Sequence, residues 1–359
     1  MNAEKVNIRN LDLAALNEEV LSLKEPIFRA KQVYDWLWNK HASSFEMMSN
    51  LSKDFRIKLE EKFFIDTIQL QDQQISSDKT IKCAFSVDQN KVIEGVLIPT
   101  SSRTTACISS QVGCSLSCSF CATGKLKLMR NLSTGEIVDQ VVYLKNQANT
   151  LYEKQLSNIV YMGMGEPLLN YKNVLRSIEI ITSEKGLGMS PKRITVSTAG
   201  IAKMIRKLGD DEVRFNLALS LHAANDKKRS QIMEINDSNN LSELAEALEY
   251  FHLKTGTRIT FEYIIFDEFN DNIEDAQELA TFAKCVPCKI NIIEYNPIDD
   301  GIFKQAKKQK VDAFAAYLES KNLIVNIRRS RGKDIDAACG QLANKNKLIA
   351  DRNEIMKSI

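Results

Sequence analysis

With 359 residues, 44% of them hydrophobic, the chain has the length and apolar content to bury one large core with an appendage, or two ordinary cores. Forty-eight Lys and Arg against forty-six Asp and Glu leave a formal charge of +2, which neither demands nor excludes a nucleic-acid partner, so local clusters decide. No run of about twenty apolar residues occurs and MNAEKVNIRN lacks the basic-then-apolar pattern of a secretory leader, which argues against a membrane protein and sets the expectation of a cytoplasmic one.

Residues 1–65 read as a small helical unit: LDLAALNEEVLSL and FRAKQVYDWLWNK carry apolar residues at three- and four-residue spacings, and LSKDFRIKLEEKF follows. Residues 66–99 read as a short β-rich bridge built from TIKCAFSVD and KVIEGVLIPT. From residue 100 to 340 strand-like runs recur at TTACISS, NIVYMG, RITVST, RFNLALSLH, RITFEYIIF, KINIIEYN and LIVNIRRS. Helix-length segments separate them, at 133–149, 171–183, 241–253, 275–284 and 311–320. The alternation predicts an α/β fold of parallel βα units, a partial or full parallel barrel, with an open doubly wound sheet as the alternative. GMGEP, STAG, SLHA and EYNP, each directly after a strand, favour the barrel, because they gather polar groups at one mouth. Residues 341–359 are expected to form a helical tail.

Eight cysteines, at 83, 107, 114, 118, 121, 285, 288 and 339, are too sparse for a disulfide scaffold and read as ligands, catalysts or core fillers. In GCSLSCSFCATGK, Cys114, Cys118 and Cys121 form C-x3-C-x2-C on the loop after the first barrel strand. A structural zinc site recruits four protein ligands, and no fourth Cys or His lies nearby. Three thiolates suit a [4Fe–4S] cluster with one iron left open, with a zinc knuckle or plain packing as the alternatives. Gly163, Gly165 and Glu166 follow the second strand, where backbone can approach a ligand and a carboxylate can meet an ammonium. Ser197, Ser220, Leu221, His222 and Asn296 sit at later strand ends. Singly, Ser197 suits a helix N-cap, His222 a satisfied core histidine and Asn296 a turn before Pro297; together, on the mouth that holds the thiols, they suit ribose, adenine and methionine contacts. Cys107 and Cys339 lack ligand spacing and are either small core residues or groups that reach the same mouth. Cys83, Cys285 and Cys288 read as packing.

Several blocks in order, EPIFRAKQVYDWLW, ISSQVGCSLSCSFCATG, MGMGEPLLNY, STAG, SLHAAND, EYNP and RGKDIDAACGQL, closely resemble the RlmN branch of the radical-SAM RNA methyltransferases, which is related to the Cfr enzymes. The resemblance implies that Cys114, Cys118 and Cys121 hold the cluster. Its open iron chelates S-adenosylmethionine, whose cleavage yields a 5′-deoxyadenosyl radical. It also implies that Gly165, Glu166, Ser197, Ser220, Leu221, His222 and Asn296 bind that cosubstrate. It gives Cys339 the role of an S-methylcysteine carrier, Cys107 that of the resolving thiol in a transient disulfide with Cys339, and Glu94 that of the proton acceptor, although by sequence alone Glu94 passes for a surface strand residue. The implied substrates are an adenosine of the 23S rRNA peptidyl-transferase centre, methylated at C2, and the adenosine just 3′ of the anticodon in tRNAs. Methylation at C8, as in the Cfr branch, and a zinc- or cluster-bearing RNA-binding module are the alternatives. A reducing donor such as flavodoxin or ferredoxin and a monomeric, membrane-free enzyme complete the expectation. Lys125, Lys127, Arg130, Arg328, Arg329, Arg331, Lys333 and FKQAKKQK, with Lys24, Arg29, Lys31 and Lys40 on the helical unit, are the groups that would meet phosphates.

Overall fold

Three helices come first in the computed structural model, which describes residues 5–88 and 91–343: α1 (Leu13–Ser22), α2 (Phe28–Trp38) and α3 (Lys53–Lys62). Asp12 caps α1 and Ser52 caps α3, each side chain accepting a backbone N–H of its own first turn. The short strands β1 (Val6–Asn7) and β2 (Phe63–Phe64) pair in parallel and close the unit around Val20, Val33, Leu37, Phe55 and Leu59. Arg9, only 3% exposed, rivets it to the rest of the chain. Its guanidinium forks onto both oxygens of Asp139 at 2.7 and 2.8 Å, reaches the carbonyls of Asp66 and Gly135, and lies over the Trp38 ring.

Next come β3 (Gln69–Ile75), β4 (Ile81–Asp88), β5 (Lys91–Pro99) and β6 (Thr104–Cys107), an antiparallel meander. A small ribbon of β7 (Gln111–Val112) and β8 (Arg130–Asn131) follows, and then the parallel strands β9 (Asn158–Tyr161), β10 (Ile194–Thr198), β11 (Asn216–Ser220), β12 (Ile259–Ile265), β13 (Cys288–Glu294) and β14 (Val325–Arg328). Ten of these form one sheet in the order β14-β13-β12-β11-β10-β9-β6-β5-β4-β3. Segment 66–99 therefore extends the main sheet as its antiparallel flank. From β6 through β9 to β14 each strand of this sheet lies beside the one that precedes it in the sheet's chain order, so the strand order never reverses and the doubly wound alternative does not apply. With β3 and β14 at the two edges, the hydrogen bonding among the described residues is that of a partial barrel.

The intervening helices are α4 (Thr134–Tyr152), α5 (Tyr171–Thr182), α6 (Ala202–Asp210), α7 (Asp226–Ile232), α8 (Leu241–Thr255), α9 (Ile273–Phe282) and α10 (Lys308–Ser320). A Ser133–Glu136 capping box opens α4, and α8 runs from the Asn240 cap to Gly256 in the left-handed region. All seven residues of β12 are buried, Glu262 included, as for a strand covered on both faces. Among the described residues no helix is long and apolar enough to cross a membrane. The tail expected over 341–359 lies, from residue 344 on, outside the described residues.

Candidate active site

The β7–β8 ribbon pins both ends of the cysteine loop. Its turn requires glycine at 113, where φ is +75° and a Cβ would stand 2.1 Å from the Lys127 carbonyl oxygen. Cys114, Cys118 and Cys121 line one cavity at the ends of the parallel strands. Burial pushes all three thiols up, Cys114 to about 11, while backbone N–H groups of Leu116 and Ser115 at Cys114, and of Gly124 and Thr123 at Cys121, work the other way. Three thiols lining one cavity, with amide donors turned toward two of them, suit an iron–sulfur cluster held by cysteine alone.

The same cavity is lined by Gly163, Gly165 and Glu166 after β9, Ser197 of β10, Ser220 of β11 and His222 just beyond it. Gly165 has φ +93°, and a Cβ would come within 2.4 Å of the Gln111 side chain, whose Oε1 accepts the Glu166 N–H at 2.8 Å. The buried Glu166 carboxylate accepts N–H groups from Leu168 (3.0 Å) and Ala199 (2.8 Å). Burial raises its pKa and these bonds oppose the rise. A carboxylate accepts about four hydrogen bonds, so capacity remains for a ligand ammonium. The Ser197 and Ser220 hydroxyls lie 3.3 Å apart, and Ser197 caps no helix, since α6 starts after Ile201. His222 Nδ1 accepts the Ile264 N–H at 3.1 Å, which leaves the proton of the neutral ring on Nε2; burial, then the Arg229 charge, depresses its pKa to about 3.

Two of the expected contacts differ in kind. The Leu221 side chain is fully buried in the hydrophobic core and does not line the cavity; its backbone takes part, the carbonyl accepting from Arg229 Nε at 3.2 Å and the N–H donating to the Glu262 carbonyl at 3.0 Å. Asn296 also lies behind the lining, but its Nδ2 holds the carbonyls of Glu294 and Cys339, both at 3.3 Å. Its buried Oδ1 has no partner among the described residues, an orphan acceptor that a ligand donor would satisfy.

Cys339 lines this cavity and also a second, adjoining chamber together with Cys107, Arg328, Arg329 and Arg331. Cys107 is buried on β6; burial pushes its thiol up to about 12, with Cys339 adding to the rise and Arg328 opposing it. Cys339 exposes surface, and that surface faces the chambers; burial within the protein mass raises its thiol and Arg328 again opposes. All eight cysteines are free thiols. The Ser76–Thr80 turn between β3 and β4 seats the segment before Cys339. Asp78 takes the Gly332 N–H at 3.0 Å and pairs with Arg331 at 3.3 Å, and Asp334 takes the Ser76 hydroxyl at 2.5 Å and the Ser77 N–H at 3.0 Å. Arg331 also reaches the Pro99 carbonyl at 3.0 Å.

Glu94 is 1% exposed, not a surface residue, because β5 lies between β4 and β6 inside the sheet. Its carboxylate accepts the Ala343 N–H at 2.9 Å and stands 3.6 Å from Lys82 Nζ. It shares a face of β5 with Val96 and Ile98, which line the second chamber. Two further residues, Glu262 and Arg229, escape sequence reasoning as site builders, and Arg328, expected at phosphates, is engaged with Glu262. Glu262 lines the first cavity and pairs with Arg328 at 3.1 Å, while Asn291 holds its other oxygen. A single charge inside ITFEYII was the available signal. Arg229, fully buried, donates to the carbonyls of Ala199 (2.5 Å), Leu221 and Ser220 and to Asn236 Oδ1 (2.8 Å), tying the ends of β10 and β11 together.

Several basic groups expected at phosphates are engaged within the chain: Arg130 with Asp88 and Glu136, Lys310 with Asp267 and Asp271, Arg329 and Lys333 with Glu294, and Lys40 with Asp35.

Residues 6–65 match the model of the ribosomal RNA large subunit methyltransferase N-terminal domain, and residues 108–282 that of the radical SAM superfamily. The chain is 56% identical over 342 residues to the probable dual-specificity RNA methyltransferase RlmN of Cytophaga hutchinsonii, covering 95% of this chain and 94% of that one. It is 54% identical to the Flavobacterium psychrophilum protein of the same description, covering 96% and 99%. Among solved structures, a radical SAM methyltransferase from Sphaerobacter thermophilus superposes with a TM-score of 0.88 at 37% identity, covering 94% of this chain and 99% of that one.

Proposed function

The chain belongs to the RlmN family of radical SAM RNA methyltransferases, and on that premise we propose that it methylates C2 of adenosine in RNA with Cys339 as the methyl carrier. The dual-specificity description of its relatives supports two substrates, the peptidyl-transferase adenosine of 23S rRNA and the adenosine 3′ of the anticodon in tRNAs. The helical unit of residues 6–65 is the part we assign to gripping folded RNA, in keeping with the domain model it matches.

A [4Fe–4S] cluster on Cys114, Cys118 and Cys121, with S-adenosylmethionine along Gly165, Glu166, Ser197, Ser220, His222, the Leu221 backbone and Asn296, would supply the methyl group and the one-electron chemistry that a non-nucleophilic ring carbon requires. The residues of the chain do the rest. Cys339 carries the methyl group as S-methylcysteine and later holds the RNA through that carbon. Glu94 accepts the proton from the ring carbon of the adduct: the C–H bond breaks, an O–H bond forms, the electron pair stays with the ring, and the unpaired electron left by radical addition returns to the one-electron donor system. Cys107 then attacks the Cys339 sulfur. An S–S bond forms, the S–CH2 bond breaks, and the released carbon takes up a proton to become the methyl group. Two external thiol equivalents, themselves oxidised to a disulfide, restore both cysteines.

The observation that carries this reading is that Cys339 belongs to both linings, on one side with the three thiols and on the other with Cys107 and three arginines. The target base must leave its stack to enter. The same reading has the enzyme work in the cytoplasm as a monomer, with a low-potential donor such as flavodoxin or ferredoxin. The test is anaerobic reconstitution with iron and sulfide, then reductant, S-adenosylmethionine and a 23S rRNA fragment, with mass spectrometry of the digested nucleosides. C2-methyladenosine and 5′-deoxyadenosine are expected, both dependent on the cluster. C8-methyladenosine overturns the regiochemistry, and normal RNA methylation by Cys339→Ala overturns the carrier role.

A further inference from the structure

Lys82 is 4% exposed, on the interior strand β4. Desolvating an ammonium is costly, and an interior lysine is tolerated where a fixed counter-charge meets it. Register shows which face it occupies. Lys82 lies opposite Val96, and Val96 lies opposite Cys107, so the three form one row across β4, β5 and β6. Val96 and Cys107 line the second chamber. Glu94, two residues before Val96, shares that face, and its Oε1 is 3.6 Å from Lys82 Nζ. The other carboxylate oxygen accepts the N–H of Ala343, four residues past Cys339.

We propose that Lys82 is a positioning residue for the reaction: its ammonium holds Oε1 of Glu94 on the chamber side of β5, as the counter-charge of a carboxylate that must take a proton from the RNA adduct. The proposal rests on the reading of Glu94 as proton acceptor. Lys82 lines neither chamber; it fixes the carboxylate from one side while the Cys339 segment fixes it from the other. The acceptor is thus aimed only when the carrier segment is in place.

A single-turnover reaction of the reconstituted full-length enzyme with a 23S rRNA fragment tests this by following three quantities: S-methylation of Cys339, RNA retained on the denatured protein, and released methyladenosine. Lys82→Met is expected to slow release by about tenfold or more, within the range of a lost acid–base contribution, and to accumulate protein-bound RNA while Cys339 is methylated at the wild-type level. Lys82→Arg is expected to recover release. Where methionine is not tolerated by the fold, Lys82→Gln gives the same comparison. Release at the wild-type rate from the uncharged variant overturns the proposal. So does an uncharged variant that folds but cannot methylate Cys339, because lysine then serves an earlier step. Glu94→Gln separates the two ideas: normal release from it removes the acceptor role of Glu94 itself, whereas retained RNA in Glu94→Gln with normal release in Lys82→Met removes only the role of Lys82.

Discussion

His222→Gln should flatten the acid limb of the stability profile. The wild-type ring accepts the Ile264 N–H on Nδ1 and is buried beside Arg229, so the native state refuses a second ring proton until about pH 3, whereas histidine in the unfolded chain titrates near 6.5. A depressed native pKa contributes stability that is complete above the unfolded pKa and is lost as pH falls through the window between the two. At about pH 5 the unfolded chain gains roughly 1.5 units of protonation free energy that the native state does not, a loss of about 2 kcal/mol relative to neutral pH. Any native pKa below about 4 gives nearly the same figure, so the result tests the burial and the hydrogen bond, not the exact depth of the shift. Glutamine offers a carbonyl oxygen to the same N–H and cannot titrate. Urea unfolding followed by circular dichroism at about pH 7.5 and pH 5 measures the difference; the fall on acidification should be about 2 kcal/mol smaller in His222→Gln than in wild type. His41, whose pKa burial also lowers, is present in both proteins and cancels. Equal falls in the two proteins would refute the reasoning.

Arg229→Met should lower stability by about 3–5 kcal/mol, because it strands buried acceptors on Ala199, Leu221, Ser220 and Asn236; a shift in urea midpoint worth less than about 1 kcal/mol contradicts the strut role. Cys107→Ser should leave RNA attached to Cys339 after one turnover, seen as a slower band on a denaturing gel, and free methylated RNA at the wild-type yield contradicts the resolving role. Asp334→Asn weakens the hold of Ser76 and Ser77 on the segment before Cys339, and should reduce methylation about tenfold while 5′-deoxyadenosine formation persists; both activities falling together, measured in one reaction, would point to a different fault.

The seven sheet strands β6 and β9–β14 are legible as apolar runs, and among those buried on both faces RITFEYIIF is the clearest. Helix α6 carries the apolar series Ala202, Ile205 and Leu208 within nine residues, whereas α7 is harder to see. DKKRSQI buries little beyond Ile232 and the Arg229 head, so no apolar stripe marks it. The thiol triad is legible from spacing alone, and the strand-end ring from its position after each strand. Glu94 is not, because KVIEGVLIPT alternates as well for a half-exposed hairpin as for the interior strand that β4 and β6 make of it. Nor is the Glu262–Arg328 pair, whose members are 66 residues apart and meet only when β12 and β14 flank β13. Pairing across non-adjacent strands is a tertiary fact that no local pattern encodes.

The anchoring of residues 331–334 on the Ser76–Thr80 turn has a consequence for biosynthesis. Asp334 and Ser76 are 258 positions apart, so the turn waits for its partner until the chain is nearly complete. The three thiols of the cysteine loop and the sheet behind them are all made before β14 ends at Arg328. Contacts of such long separation form late, and segments fold in the order in which they leave the ribosome. The wall that Cys339 gives to both chambers is therefore the last part of the site to be put in place.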